Sequence, residues 1–246
     1  MSTLLATALP AVLAQDGFFK DRTAPGAEES CVASNGLCPK WMVDNFDQYL
    51  QPLGRHATLT ITAVVIGFAI SFALALVAER RRWLVGPVTQ ISAILYTVPT
   101  LAAFFLLIPI TGRGFVTAQV ALVAYTLLIL FRGVRTGLDG VPPETVDAAK
   151  GIGLTDRQLL WQVKLPLALP QIIAALRVAS STTVGLATLA FFAGAGGLGG
   201  KIYDDLTFKS NVVLASALCV LLAVVLEVAL VLAQRSLTPW IRAARA

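Results

Sequence analysis

The stretch ATLTITAVVIGFAISFALALVA, residues 57–78, carries no charge and runs directly into Glu79-Arg80-Arg81-Arg82. Twenty-two apolar or small residues suffice to cross about 30 Å of hydrocarbon as a helix. Helix is the form required, because no water in the bilayer core can satisfy a free backbone N–H. The basic cluster that follows belongs on the cytoplasmic side, where Lys and Arg accumulate. These 26 residues therefore set both the class of the protein and the direction of its first span.

Four further runs of spanning length follow, at residues 87–110, 115–134, 170–193 and 212–233. None alternates as a membrane β-strand does, so a barrel is excluded. Composition agrees. Of 246 residues, 57% are hydrophobic and only 13% charged, with mean hydropathy +0.77. A soluble domain carries roughly 25% charged residues, so this chain cannot cover a water-facing surface. The expected fold is all-α and integral to the membrane, with five transmembrane helices and a cytoplasmic helix-turn-helix.

Alternating from the first span puts the N-terminal segment outside and the C-terminus, with Arg235, Arg242 and Arg245, inside. The net charge of +5 comes from dispersed basic residues, which does not favour a nucleic-acid partner. Residues 1–56 differ from the rest. The apolar stretch at 4–14 is too short to span, and reads either as the hydrophobic part of a signal peptide or as an interfacial segment. Residues 16–45 are polar and read as an extracytoplasmic loop. Cys31 and Cys38 fall in it; they pair if that compartment is oxidising, or remain two free thiols. Cys219, inside the last run, reads as packing. His56, at the outer edge of the first run, reads as an interfacial residue. One His and three Cys give no metal site.

The longest cytoplasmic connection, from Arg135 to Leu169, is too elaborate for a simple loop. Pro143 suits the first turn of a helix. Glu144 and Asp147 suit its positive end, and Gly153 can end it in the left-handed conformation. Thr155-Asp156-Arg157-Gln158 is a capping box that opens a second short helix. Leu159, Leu160 and Val163 share a face of it, and Pro166 and Pro170 are expected to stop it.

This segment also carries a resemblance. Asp147-Ala148-Ala149, three residues, Gly153, nine residues, then Val163-Lys164-Leu165-Pro166 resembles the E-A-A, x3, G, x9, I-x-L-P loop of permease subunits of ABC importers. Asp147 stands for the usual Glu and Val163 for the usual Ile; charge and shape are kept. Thr97-Val98-Pro99-Thr100-Leu101-Ala102, Leu165–Pro170 and Gly194–Gly199 are similar to the osmoprotectant branch, whose members import glycine betaine, carnitine, choline and related solutes.

The resemblance implies that Asp147, Ala148, Ala149, Gly153, Val163, Leu165 and Pro166 couple this chain to a separate ATPase. It also implies two ATPase subunits that hold ATP and Mg, and a second permease subunit, either a copy of this chain or a sister. An extracytoplasmic solute-binding protein completes the set, with membrane lipid around it. The domain organisation expected is an extracytoplasmic segment at 1–56, a transmembrane permease domain at 57–234 with the coupling loop at 137–166, and a cytoplasmic tail at 235–246.

Other motifs point away from catalysis. Gly194-Ala195-Gly196-Gly197-Leu198-Gly199 fits the letter of a dinucleotide fingerprint but follows a membrane run, with no strand before it. It reads as a flexible turn. Gly200-Lys201-Ile202 fails the phosphate-loop pattern. The chain is therefore not expected to bind a cofactor or hydrolyse ATP. An integral-membrane enzyme would need clustered ionisable groups in the spans, and these are nearly absent.

For a solute path the candidates are Tyr96, Thr97 and Pro99, where a kink frees carbonyls, and Thr182, Thr183 and Thr188 in the fourth run. The same hydroxyls also serve helix packing. Arg177 and Glu227 sit near one face of the bilayer, and read as an ion pair ahead of a proton relay. The function expected is uptake of a quaternary-ammonium compatible solute. The alternatives are import of an amino acid such as methionine and, from a different class, a membrane enzyme.

Overall fold

A computed structural model describes residues 31, 32 and 34–239. The stretch at 4–14, Arg242, Arg245 and most of the N-terminal segment lie outside the described residues. The described chain is all helical. α1 (Pro39–Asp44) precedes α2 (Asp47–Arg80), and a short 3-10 turn (Arg82–Leu84) leads into α3 (Val85–Thr97) and α4 (Thr100–Thr111). α5 (Phe115–Asp139), α6 (Pro143–Gly151) and α7 (Asp156–Ala187) follow. A 3-10 turn (Ala190–Ala193), α8 (Leu198–Asp204) and α9 (Lys209–Leu237) complete the fold. α2, α5, α7 and α9 are each long and apolar enough to cross a membrane, and the α3–α4 pair makes a fifth crossing if taken as one bent span. The chain is a multi-pass membrane protein.

Three spans are longer than their apolar cores. α2 begins at Asp47, ten residues before its uncharged run, and its 34 residues extend about 51 Å. Pro52 sits inside α2, one turn past its start, where it removes one backbone hydrogen bond without ending the helix. α5 continues past Val134 to Asp139, and α9 runs from Lys209 to Leu237.

The second apolar run is not one straight helix. It breaks at Val98-Pro99 and turns by 97°. Proline drives the preceding residue out of the helical region, and Val98 accordingly has φ −64° and ψ 128°. Pro99 is extended as well, at ψ 134°, and α4 starts afresh with Ala103 N–H donating to the Pro99 carbonyl. The expectation of a kink understated the break, because two consecutive extended residues turn the chain far more than one missing bond does.

The prolines expected to stop the helix after the capping box do not. α7 runs unbroken from Asp156 to Ala187, through Pro166 and Pro170. A π-helical turn at Leu159–Lys164 lies just before Pro166. Wider i→i+5 bonding there accommodates a residue that cannot donate, a local adjustment seen in membrane helices. The capping box therefore opens the fourth span itself, and no separate short helix stands between.

Packing centres on α5, which is sandwiched by α2 and α7. Close approach needs missing side chains at two crossings. A Cβ on Gly67 of α2 would meet Thr126 Oγ1 at 1.8 Å, and one on Gly133 of α5 would meet the Ala175 Cβ at 2.0 Å. Small residues at crossings are how membrane helices gain van der Waals contact without a hydrophobic drive. α9 lies at the edge, against α7 and α8, and its most apolar window is the least buried of the spans.

Candidate coupling site and translocation path

The ends of α2, α5 and α7 meet on one side of the bundle, and charge holds them together. Glu79, at the end of α2, accepts from Arg135 Nη1 at 2.6 Å and from Lys164 Nζ at 2.6 Å. Arg135, on α5, also donates to Asp139 at 2.5 Å. The side chains of Glu79, Arg135 and Lys164 are 11%, 7% and 16% exposed. Charges this buried are tolerated only when paired. The sequence groups Glu79 with the arginines after it and places Arg135 and Lys164 among the basic residues of the cytoplasmic side. A lone carboxylate at the boundary of an otherwise uncharged run was the available signal. Partners 56 and 85 positions away in sequence were not legible.

Lys164 belongs to the Val163–Pro166 motif, so this network is the base of the helix-turn-helix. Pro143 occupies the first turn of α6 and Glu144 its positive end. The helix ends in a Schellman arrangement: Leu154 N–H reaches the Ala149 carbonyl, Gly153 N–H reaches the Lys150 carbonyl, and Gly153 has φ +87°. Thr155 then caps α7 reciprocally with Gln158. Ala149 is buried, whereas Asp147, Ala148 and Ile152 are exposed, Ile152 at 80%. Val163, Leu165 and Pro166 are half-buried. α6 thus anchors on one side and offers an uncovered face with Asp147 and Ala148 on the other.

The path residues divide. Tyr96, Thr97 and Pro99 are exposed at the break between α3 and α4. Tyr125 of α5 supports that break, donating its hydroxyl to the Val98 carbonyl and meeting the Tyr96 ring edge-on at 6.0 Å. Thr182 and Thr188 are half-buried on α7 and just beyond its end. Thr183 is 1% exposed and packed inside the bundle, so in this conformation it does not face an open path. All three hydroxyls donate to their own chain's carbonyls at Val178, Ala179 and Gly185. Phe104 of α4 shares a core with Ala187, Ala190 and Ala193, which brings the outer half of the broken span beside Thr188.

At the far end of the bundle the glycine stretch is pinned. His56 is fully buried, enclosed between the start of α8 and the Val184 carbonyl of α7. Its Nδ1 accepts from Leu198 N–H at 3.3 Å, and its Nε2 lies 3.0 Å from the Val184 carbonyl, which fixes the neutral Nε2–H tautomer. Arg55 donates to the Ala195 carbonyl at 3.0 Å. The segment expected to be a flexible turn is thus tied to α2 and α7. Arg177 and Glu227 pair across α7 and α9, with Arg177 Nε at 2.8 Å and a second bond from its Nη2. Cys31 and Cys38 form a disulfide, and Cys219 is a buried free thiol. Among the described residues, no group of three or more His, Cys, Asp or Glu gathers to hold a metal.

Residues 54–243 match the family described as the binding-protein-dependent transport system inner membrane component. The chain belongs to this family. It is the permease type of subunit of an ABC importer, a translocation component and not an enzyme. The permease is 35% identical over 202 residues to the choline transport system permease protein OpuBB of Bacillus subtilis, covering 81% of this chain and 93% of that one. It is 34% identical over 206 residues to the osmoprotectant import permease protein OsmW of Salmonella typhimurium, covering 81% and 96%. In fold it is similar to the inward-facing MetNI methionine ABC transporter, with a TM-score of 0.68 at 22% identity over 82% of this permease and 100% of that chain.

Proposed function

We propose that this permease subunit moves a quaternary-ammonium compatible solute, of the glycine betaine, carnitine or choline type, into the cell. The observation that carries the reading is the identity of 34–35% over more than nine-tenths of relatives named for choline and osmoprotectant transport. The chemistry of the spans supports it. A permanent cation must be solvated along the path without being held. Hydroxyls at Thr97, Thr182 and Thr188, the exposed Tyr96 ring, and the carbonyls of Tyr96 and Thr97 beside the break at Pro99 attract a cation weakly. Thr183 supports that lining from behind. The acidic residue of the last span, Glu227, is neutralised by Arg177. The similarity to the methionine transporter rests on fold and carries no substrate.

In this reading α6 docks on one of two ATPase subunits through Asp147 and Ala148, with Ala149 as its anchor. Gly153 sets the turn, and Val163, Leu165 and Pro166 pass the motion into α7. ATP and Mg are held by the partner. A second permease subunit and an extracytoplasmic binding protein complete the importer. Residues 57–234 form the transmembrane domain with the coupling loop at 137–166, 1–56 lie outside, and 235–246 form a cytoplasmic tail. The test is uptake of labelled glycine betaine, carnitine, choline and methionine at high osmolarity, with and without the gene. Gene-dependent uptake of one of the first three is expected. Dependence of methionine uptake alone would refute the solute class and leave the permease assignment standing.

A further inference from the structure

The helix pair that carries Glu79 and Lys164 also encloses unfilled space. A polar cavity of about 590 Å³ lies between the end of α2 and the start of α7, lined by Arg80, Arg157 and Lys164 with the carboxylates of Glu79 and Asp156. Along the same two helices, toward the bundle's middle, an apolar groove of about 400 Å³ is lined by Phe68, Phe72, Trp161 and Leu169. Helical spacing stacks the two. Phe68, Phe72 and Glu79 share a face of α2, and Trp161, Leu165 and Leu169 share a face of α7. Lys164, on the cavity, and Leu165, on the groove, are consecutive.

The cavity is cationic. Glu79 is already bound by Arg135 and Lys164. Arg80 and Arg157 are exposed and have no ion pair among the described residues. Asp156 is the one carboxylate at the rim left to oppose them. The level is that of lipid head groups: Trp161 is 52% exposed and Trp83, just after the arginines, 69%, and indoles concentrate at that boundary.

We propose that cavity and groove together bind one anionic phospholipid, its phosphate between Arg80 and Arg157 and an acyl chain along Phe72, Phe68 and Leu169. Basic pockets between membrane helices on the cytoplasmic side suit acidic head groups. A zwitterionic lipid fills the same groove but sets its own ammonium beside two guanidiniums. The lipid ties α2 to α7 at the level of the Glu79–Lys164 pair. The assignment does not rest on the solute transported.

The experiment is native mass spectrometry of the full chain, purified alone and with co-expressed ATPase subunits, delipidated and then given phosphatidylglycerol or phosphatidylcholine. Phosphatidylglycerol should be retained about tenfold more than phosphatidylcholine in both preparations. The Arg80→Gln/Arg157→Gln variant should lose that preference, while Arg81→Gln/Arg82→Gln keeps it. Leu169→Trp, which fills the groove, should weaken both lipids. Equal retention of the two lipids by the unaltered chain would overturn the proposal, as would wild-type preference in the Arg80/Arg157 variant. Loss of the lipid whenever ATPase subunits are bound would assign the cavity to that protein contact instead.

Discussion

Gly153 has a left-handed backbone and nothing within 4 Å of where a Cβ would stand. A substitution there strains the turn and disturbs no packing. Gly153→Val should cost about 1–2 kcal/mol locally, the penalty of a left-handed β-branched residue. The protein should still reach the membrane, because the turn lies outside the spans, while solute-stimulated ATPase activity and uptake fall together. Unaltered values of both would remove this loop from the coupling route. His56 makes a different point. Its ring satisfies the Leu198 N–H and the Val184 carbonyl, so His56→Leu should leave two buried backbone groups without partners. We expect a loss of about 1–3 kcal/mol, read as a lower unfolding temperature in detergent, with His56→Gln intermediate. The caps at Thr155 and Gly153 were legible from sequence because a helix end is decided within a few residues. The burial of His56 was not, because it depends on the start of α8 and on a carbonyl 128 positions away.

At the scale of elements, local signals read well where one residue type dominates and poorly where two compete. Pro99 announced a discontinuity, and the pre-proline restriction at Val98 made it a right-angled break. Pro166 and Pro170 announced stops, and the π-turn before them kept α7 whole. The Glu79–Arg135–Lys164 network lies wholly in tertiary contact and no sequence window holds it. Its energetics are asymmetric: breaking a buried pair strands a charge, whereas removing the whole set strands none. Glu79→Gln should therefore destabilise the protein by about 3 kcal/mol, measured as a fall in the detergent unfolding midpoint. Adding Lys164→Met to that variant should recover part of the loss, since Lys164 is the cation left stranded while Arg135 keeps Asp139. Simple additivity of the two substitutions would show that the groups are not coupled. Since Glu79 joins α2 and α5 to the base of the proposed coupling loop, uptake should fall more in Glu79→Gln than stability alone explains.

The whole molecule has two chemically distinct ends. One gathers Arg80–Arg82, Lys164, Arg157 and the exposed face of α6. At the other, the Cys31–Cys38 loop is bound to the start of α9. Ser210 Oγ accepts from Cys38 N–H and donates to the Gly36 carbonyl, and Trp41 meets Phe208 edge-on at 4.7 Å. Positive charge belongs on the cytoplasmic face, and a disulfide is kept in oxidising compartments and lost in the cytosol. Both rules support the proposed orientation, with the disulfide loop outside and α6 inside. The cysteines make it measurable. Cys31 is exposed, Cys38 is 3% exposed, and Cys219 is buried within a span. After mild reduction of intact cells, a membrane-impermeant maleimide should therefore label this chain at Cys31, and Cys31→Ser should abolish nearly all of the signal. Without reduction, labelling should be absent. If label appears only after the membrane is permeabilised, the loop is cytoplasmic and the arginine cluster faces outward, contrary to both rules.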